Sequence, residues 1–135
     1  MRNDEPFIVF PIKLIMTNYK QNKNNYFENL TGEVMHLHWE NPKLRIIPVN
    51  VFPEKLPYLT KDKVISKFET VETKDIDCYS ILKDRGPCYD VVNLVINVEY
   101  KDSINTPFNS APVVRGVTEN TPFREFSDIL NDLIN

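Results

Sequence analysis

The chain has two histidines, His36 and His38, which are separated by one residue and followed by Glu40. In a β-strand, alternate residues share one face and lie about 6.5–7 Å apart, a separation that two ligands of one metal ion can bridge. A catalytic zinc ion takes three protein ligands, so Glu40 or a distant carboxylate such as Asp90 would have to complete the site. This pattern supports the hypothesis of a small metal-dependent enzyme.

The same spacing also fits a strand that exposes its histidines to solvent. Met35, Leu37 and Trp39 alternate with the polar positions and would form the buried side of such a strand. Because two histidines alone are a weak metal signature, we favour this second interpretation. We therefore expect neither a bound metal nor a cofactor.

A second cluster combines aromatic rings with basic side chains: Tyr19, Lys20, Lys23 and Tyr26. Aromatic side chains beside lysines are typical of proteins that hold single-stranded nucleic acid, where each stacked base contributes ~1–3 kcal/mol. The polar run at residues 20–25 predicts a turn, so the cluster would lie at the tip of a hairpin. Two lysines supply few phosphate contacts, and the net charge is −3. A nucleic-acid-binding module is therefore an alternative and not the favoured function.

Glycine is scarce, and this excludes several classes of enzyme. The chain contains three glycines and one alanine beside fifteen asparagines and twelve isoleucines. Phosphate-binding loops and dinucleotide fingerprints need closely spaced glycines, and the nucleophile elbow of α/β-hydrolases needs two glycines around a serine. The sequence thus excludes P-loop NTPases, protein kinases, Rossmann dehydrogenases and α/β-hydrolases. The codon usage behind this composition indicates an AT-rich genome, such as that of a low-GC bacterium, a phage or a virus.

Length and composition predict one globular domain. The chain has 135 residues, of which 41% are hydrophobic, which is enough for a single core. We expect one domain, 1–135, with a short N-terminal arm at residues 1–6. No apolar stretch approaches the ~20 residues of a membrane-spanning helix, and Asp4 and Glu5 replace the basic start of a signal peptide. We expect a cytoplasmic or virion location, no membrane partner, and free thiols at Cys78 and Cys88.

Alternating apolar and polar residues predict an α+β fold with a mainly antiparallel sheet of about five strands. The predicted strands are residues 7–19, 32–40, 44–52, 89–100 and 113–117. Pro11 removes one backbone donor, so the first strand is expected at an edge or a bulge. The strand at 89–100 alternates most clearly and is expected at the centre of the sheet.

Other segments show helical features. Residues 61–73 fit either a helix or a strand, with a slight preference for a helix, and residues 75–85 predict a short helix that ends at a left-handed Gly86. Residues 121–133 predict a C-terminal amphipathic helix, because Thr121 can cap it and Pro122 suits its first turn. The intervening residues 101–121 predict a long irregular loop, and loops of this length are usually functional or part of an interface.

The missing catalytic motifs, the apolar first strand and the long loop together favour a non-enzymatic assembly subunit. Strand addition at a free sheet edge would join subunits through backbone hydrogen bonds. The predicted interface residues are Phe7, Val9, Pro107, Phe108, Val113 and Val114. The expected partners are other protein subunits in a homo- or hetero-oligomer. The AT-rich composition favours a phage or viral particle component, such as a head, neck or tail subunit.

Overall fold

The computed structural model describes residues 7–118 and Asn131. In chain order its elements are β1 (Ile8–Val9), β2 (Ile12–Leu14), α1 (Tyr19–Glu40), β3 (Arg45–Ile46), β4 (Val49–Pro53), β5 (Lys55–Leu59), β6 (Ile65–Thr70), α2 (Thr73–Ile76), a 3₁₀ turn (Asp77–Ser80), α3 (Ile81–Asp84), β7 (Val92–Glu99) and β8 (Val113–Thr118). This confirms the α+β class. The C-terminal helix expected at 121–133 and the arm at 1–6 lie outside the described residues, apart from Asn131.

The main sheet is predominantly parallel, with the strand order β2-β4-β7-β8. Strands β2, β4 and β7 run parallel, and β8 runs antiparallel to β7. Strand β1 also pairs parallel with β3, and short interruptions that contain Pro11 and Pro48 separate β1 from β2 and β3 from β4. The expectation of a mainly antiparallel sheet of about five strands is therefore wrong.

Helix α1 explains most of this difference. Its 22 residues span the segments that the sequence pattern assigned to a turn at 20–25 and a strand at 32–40. Buried Leu30 and Val34, with half-buried Phe27 and Leu37, recur every three or four residues and form one helical stripe against the core. Parallel pairing of β2 with β4 requires a long crossover connection, and α1 provides it.

The single strand predicted at 7–19 is wrong in extent, because only β1 and β2 are extended there and α1 begins at Tyr19. The other strand predictions agree better with the structure. Residues 44–52 contain β3 and most of β4, residues 89–100 contain β7, and residues 113–117 lie within β8. Strand β7 is central, as expected, and β2, which follows Pro11, forms an edge of the described sheet. The slight preference for a helix at 61–73 is wrong, because β6 occupies most of this segment as one strand of an antiparallel hairpin with β5. Residues 75–85 do form short helical segments.

The helices cover one face of the main sheet, and an aromatic cluster lies between the two layers. The Tyr19 ring contacts the Phe52 ring edge-to-face at a centroid distance of 5.1 Å, and the Phe27 ring contacts the Tyr79 ring at 5.9 Å. The buried Tyr19 hydroxyl donates to the Asp75 carbonyl at 2.7 Å and lies 3.0 Å from the Tyr79 hydroxyl. Burial raises the pKa of Tyr19, and it raises the pKa of Tyr79 to about 12.

The opposite face of the sheet is apolar too, and within residues 7–118 fewer of its side chains are buried. Ile47, Val49 and Val92 are buried on this face, and half-buried side chains of Ile8, Phe10, Val51 and Leu94 pack beside them.

Within residues 7–118, no helix is long and apolar enough to cross a membrane.

The long loop is more ordered than its composition predicts. Val64 and Pro107 form an isolated antiparallel bridge, the Ile65 amide donates to the Thr106 carbonyl at 3.0 Å, and the Phe108 amide donates to the Lys63 carbonyl at 3.0 Å. The part of the loop before β8 is therefore attached to the β5–β6 hairpin.

Candidate interaction edge

Strand β2 presents an open edge in the described structure. Its inward backbone bonds come from odd-numbered residues: the Val49 amide donates to the Pro11 carbonyl at 2.8 Å, and the Ile15 amide donates to the Val51 carbonyl at 3.0 Å. Since successive residues of a strand direct their backbone groups to opposite sides, the amides and carbonyls of Ile12 and Leu14 point away from β4. Pro11 lacks its donor on the β4 side, so the proline does not block the open edge.

The side chains along this edge are apolar and exposed. The exposed fractions of Ile12, Leu14 and Met16 are 68%, 55% and 46%. Alternation places the side chains of Ile12 and Leu14 on the same face as Ile8 and Phe10, which is the face opposite the helices. The edge thus offers backbone hydrogen-bonding groups together with an apolar surface.

The one charged residue of β2 does not protect this edge. Edge strands commonly carry lysines that discourage pairing with another chain. Lys13, however, lies on the helix-covered face of the sheet, where its ammonium group forms an ion pair with the Glu33 carboxylate of α1. The Lys13 charge therefore contacts the protein's own helix. It does not hinder another chain from pairing with the open side of β2.

The other described edge, β8, differs from β2 in two ways. Val114 and Val117 are also exposed, by 60% and 57%. Yet the pairing of β7 with β8 contains a register shift at Asn97/Val98, and the exposed Arg115 guanidinium binds the Glu99 carboxylate, with 2.7 Å between Nε and Oε2. Bulges and charges are the usual protection of a sheet edge, so β2 is the better candidate for strand addition.

The structure separates the predicted interface residues into three places. Phe7 is exposed and lies just before β1, whereas Val9 packs partly against the helix-covered core. Pro107 and Phe108 belong to the loop that is bonded to β6, and the Phe108 ring lies 6.2 Å from the Tyr100 ring. Val113 and Val114 begin β8 at the far edge of the sheet. These residues do not form one continuous patch.

The histidine pattern does not produce the expected strand face. His36, His38 and Glu40 lie on α1, where residues two positions apart point in different directions. The exposed His36 Nε2 lies 3.0 Å from Glu40 Oε1, one helical turn away. The Nδ1 atom of His38 is buried and has no hydrogen-bond partner within residues 7–118. Asp90 is bound by Lys83, with 3.3 Å between Nζ and Oδ1. Among the described residues, no group of three or more His, Cys, Asp or Glu side chains could hold a metal ion.

The basic and aromatic cluster does not lie at the tip of a hairpin, because its residues form the first two turns of α1. Tyr19 is fully buried and cannot stack on a base. Lys20 Nζ lies 3.9 Å from Asp75 Oδ2, and Lys23 donates to the Lys74 carbonyl at 3.2 Å. The half-buried Tyr26 packs against the core. The cluster connects α1 to α2 and supplies no stacking platform at a hairpin tip.

The sequence predicts the first strand and its apolar face, but not the contacts and the register that give β2 an open edge. The alternation of Ile8, Phe10, Ile12, Leu14 and Met16 was visible, and it identified one apolar face. The pairing of Lys13 with Glu33 was not visible, since the segment around Glu33 was assigned to the turn and strand of a hairpin. The register of β2 against β4, which determines the outward backbone groups, also required the tertiary structure.

Comparison with known proteins gives no match: no family model matches the sequence, no curated protein matches it, and no solved structure matches the fold.

Proposed function

We propose that this protein is a non-enzymatic assembly subunit that binds another protein chain by strand addition at the edge of β2. The observation that supports this proposal is the open edge itself. The outward backbone groups of Ile12 and Leu14 adjoin their exposed side chains, and Lys13 is held away by Glu33.

A second copy of this chain is the partner that we expect first. Two β2 strands related by a two-fold axis would pair antiparallel and join the two main sheets. Such a contact is isologous, which is the commonest form of homo-oligomer interface. The apolar side chains of Ile12 and Leu14 would then be covered by the same residues of the second copy.

The AT-rich composition makes a phage or viral particle subunit the concrete version of this proposal. Electron microscopy of concentrated protein tests that version directly, because a particle subunit is expected to form regular assemblies.

Two edge variants test the contact. Ile12→Lys places a charge on the exposed apolar surface, and Leu14→Pro removes one outward amide while leaving the inward bonds of β2 intact. Both variants are expected to shift the protein from an oligomer to a monomer in sedimentation-velocity experiments. Because Ile12 is exposed, Ile12→Lys should change the free energy of unfolding by no more than about 0.5 kcal/mol.

The matched control is Trp39→Lys. Trp39 is 70% exposed and lies on α1, so this variant adds the same charge at an apolar surface position away from the edge. The control should retain the oligomeric state of the wild type. A monomeric wild type, or an oligomer that survives both edge variants, would contradict the proposal.

A further inference from the structure

A groove lies at the carboxyl ends of the parallel strands, away from the β2 edge. It has a volume of about 580 Å³ and is lined by Lys55, Phe68, Tyr100, Asp102, Ser103 and Ile104. Lys55 follows the end of β4, and Tyr100 follows the end of β7. In open sheets with parallel strands, this is the end at which ligands usually bind.

Aromatic rings form one wall of the groove. The Phe68 and Tyr100 rings have centroids 5.2 Å apart, and the Phe108 ring extends the row behind Tyr100 at 6.2 Å. The Tyr100 hydroxyl donates to the Lys55 carbonyl at 2.6 Å, which ties the β5–β6 hairpin to the end of β7. The planes of the Phe68 and Tyr100 rings are tilted by 47°, so an aromatic ligand would pack face-on against one ring and edge-on against the other, which is a favourable arrangement of aromatic groups.

The opposite wall is a loop with defined backbone bonds. The Asn105 amide donates to the Ile65 carbonyl at 2.7 Å. The Asp102 carboxylate accepts hydrogen bonds from the amides of Asn109 at 3.0 Å and Ser110 at 2.8 Å, and these bonds lower the pKa of Asp102. Ile104 remains 50% exposed at the rim, so the loop presents an apolar side chain to the groove.

The lining carries one positive and one negative side chain. Oδ2 of the Asp102 carboxylate already accepts bonds from two backbone amides, whereas the exposed Lys55 ammonium group makes no ion pair within the described residues and is the charged donor open to a ligand. An anionic ligand that packs against Phe68 or Tyr100 could reach the ammonium group of Lys55, which lines the same groove, and form a charge-assisted hydrogen bond with it.

We propose that the groove between Phe68, Tyr100 and Ile104 binds a small planar aromatic anion, with Lys55 as its charge partner. This site is separate from the β2 edge and does not depend on strand addition.

The test is a titration of ¹⁵N-labelled full-length protein with 2-naphthoate, followed by NMR. Saturable shifts are expected for the amides of Lys55, Phe68, Tyr100 and Ile104. The neutral analogue 2-naphthalenemethanol should bind about two- to fivefold more weakly, because it lacks the group that the exposed Lys55 recognises.

Lys55→Gln should reduce the affinity for 2-naphthoate about two- to fivefold, and it should leave the spectrum elsewhere unchanged, since Lys55 is exposed. Phe68→Leu, which removes the ring but keeps an apolar side chain, should also weaken binding. Trp39→Lys on α1, which does not line the groove, is the matched control and should bind like the wild type. Equal affinity for the neutral analogue, shifts confined to the β2 edge, or full affinity in Lys55→Gln would overturn the proposal.

Discussion

Gly86 shows, at the scale of a single residue, how one position can need glycine for an unexpected reason. The sequence predicted a left-handed glycine at the end of a helix, but none of the described glycines has a positive φ. Instead, a Cβ atom at position 86 would lie 2.6 Å from the Leu82 carbonyl oxygen. The Cys88 amide donates to that same carbonyl at 3.0 Å, so the backbone has little room to move. Gly86 is therefore required by close packing against α3.

Replacing Gly86 with alanine is expected to destabilise the protein by about 1–3 kcal/mol, as overpacked sites usually do. Urea denaturation measures this change. Gly32→Ala is the matched control, because nothing lies within 4 Å of a Cβ atom there and Gly32 is inside α1. Alanine at that position should stabilise by about 0.5–1 kcal/mol. A shift of the same sign in both variants would contradict the packing argument.

Asn18 connects two elements through its side chain and its backbone. Its φ angle of 51° is left-handed, a conformation that asparagine adopts more readily than most residues. The side-chain amide donates to the Leu59 carbonyl at 3.1 Å, and its oxygen accepts from the Leu59 amide at 2.7 Å. The side chain of Asn18 thus makes with Leu59 the pair of hydrogen bonds that the backbone of a neighbouring strand would make. The left-handed backbone of Asn18 directs the chain into α1.

Two substitutions separate these contributions at Asn18. Asn18→Gly keeps the left-handed backbone but loses both side-chain bonds, which should cost about 1–3 kcal/mol. Asn18→Ala adds the strain of a left-handed alanine, which should cost about 1 kcal/mol more. Denaturant unfolding of both variants checks the order, and Asn24→Ala on the exposed side of α1 serves as the control. Equal stability of Asn18→Ala and Asn18→Gly would show that the backbone conformation carries no cost.

At the scale of elements, α1 determines where the Lys13 charge of β2 lies and in which direction β2 pairs with β4. The helix supplies Glu33, which holds Lys13 on the covered face, and its crossover makes β2 parallel to β4. Had residues 32–40 formed a strand, that strand could have paired beside β2 and closed the edge. The strand-addition proposal therefore depends on α1 being a helix, and the Ile12→Lys and Leu14→Pro variants test the result.

At the scale of the whole molecule, burial of titratable groups in the helix-covered core makes stability sensitive to alkaline pH. Burial raises the pKa of Tyr79 from 10.0 to about 12 and the pKa of Cys88 from 9.0 to about 12. Between the unfolded and folded values, the unfolded chain releases protons that the folded protein retains. The stability contributed by these groups is therefore fully present below a pH of about 9 and is lost as the pH rises toward about 12.

Urea unfolding at a series of alkaline pH values should show a free energy of unfolding that falls steadily above a pH of about 9. Tyrosinate absorbance, followed beside circular dichroism, should show that the buried tyrosines ionise together with loss of structure. A native circular dichroism spectrum with complete tyrosine ionisation near a pH of about 10 would contradict the raised pKa values of the buried tyrosines.

The sequence by itself determined the local features of this protein. Alternation at 44–52, 89–100 and 113–117 identified strands that the structure contains. Strand β2 is an edge of the described sheet, as Pro11 predicted, although the donor that Pro11 lacks faces β4 and not the open side. The shortage of glycine excluded phosphate-binding loops. These conclusions depend only on neighbouring residues, because side-chain alternation and proline geometry act within a few positions of the chain.

Tertiary structure decided the rest, including the candidate site. Residues 34–40 alternate as a strand would, yet the stripe through Leu30, Val34 and Leu37 packs on the sheet as a helix. The open backbone groups of Ile12 and Leu14 follow from parallel pairing with β4, and the position of the Lys13 charge follows from its contact with Glu33. Local patterns show which residues can be buried, but pairing partners and ion pairs depend on contacts between residues far apart in the chain.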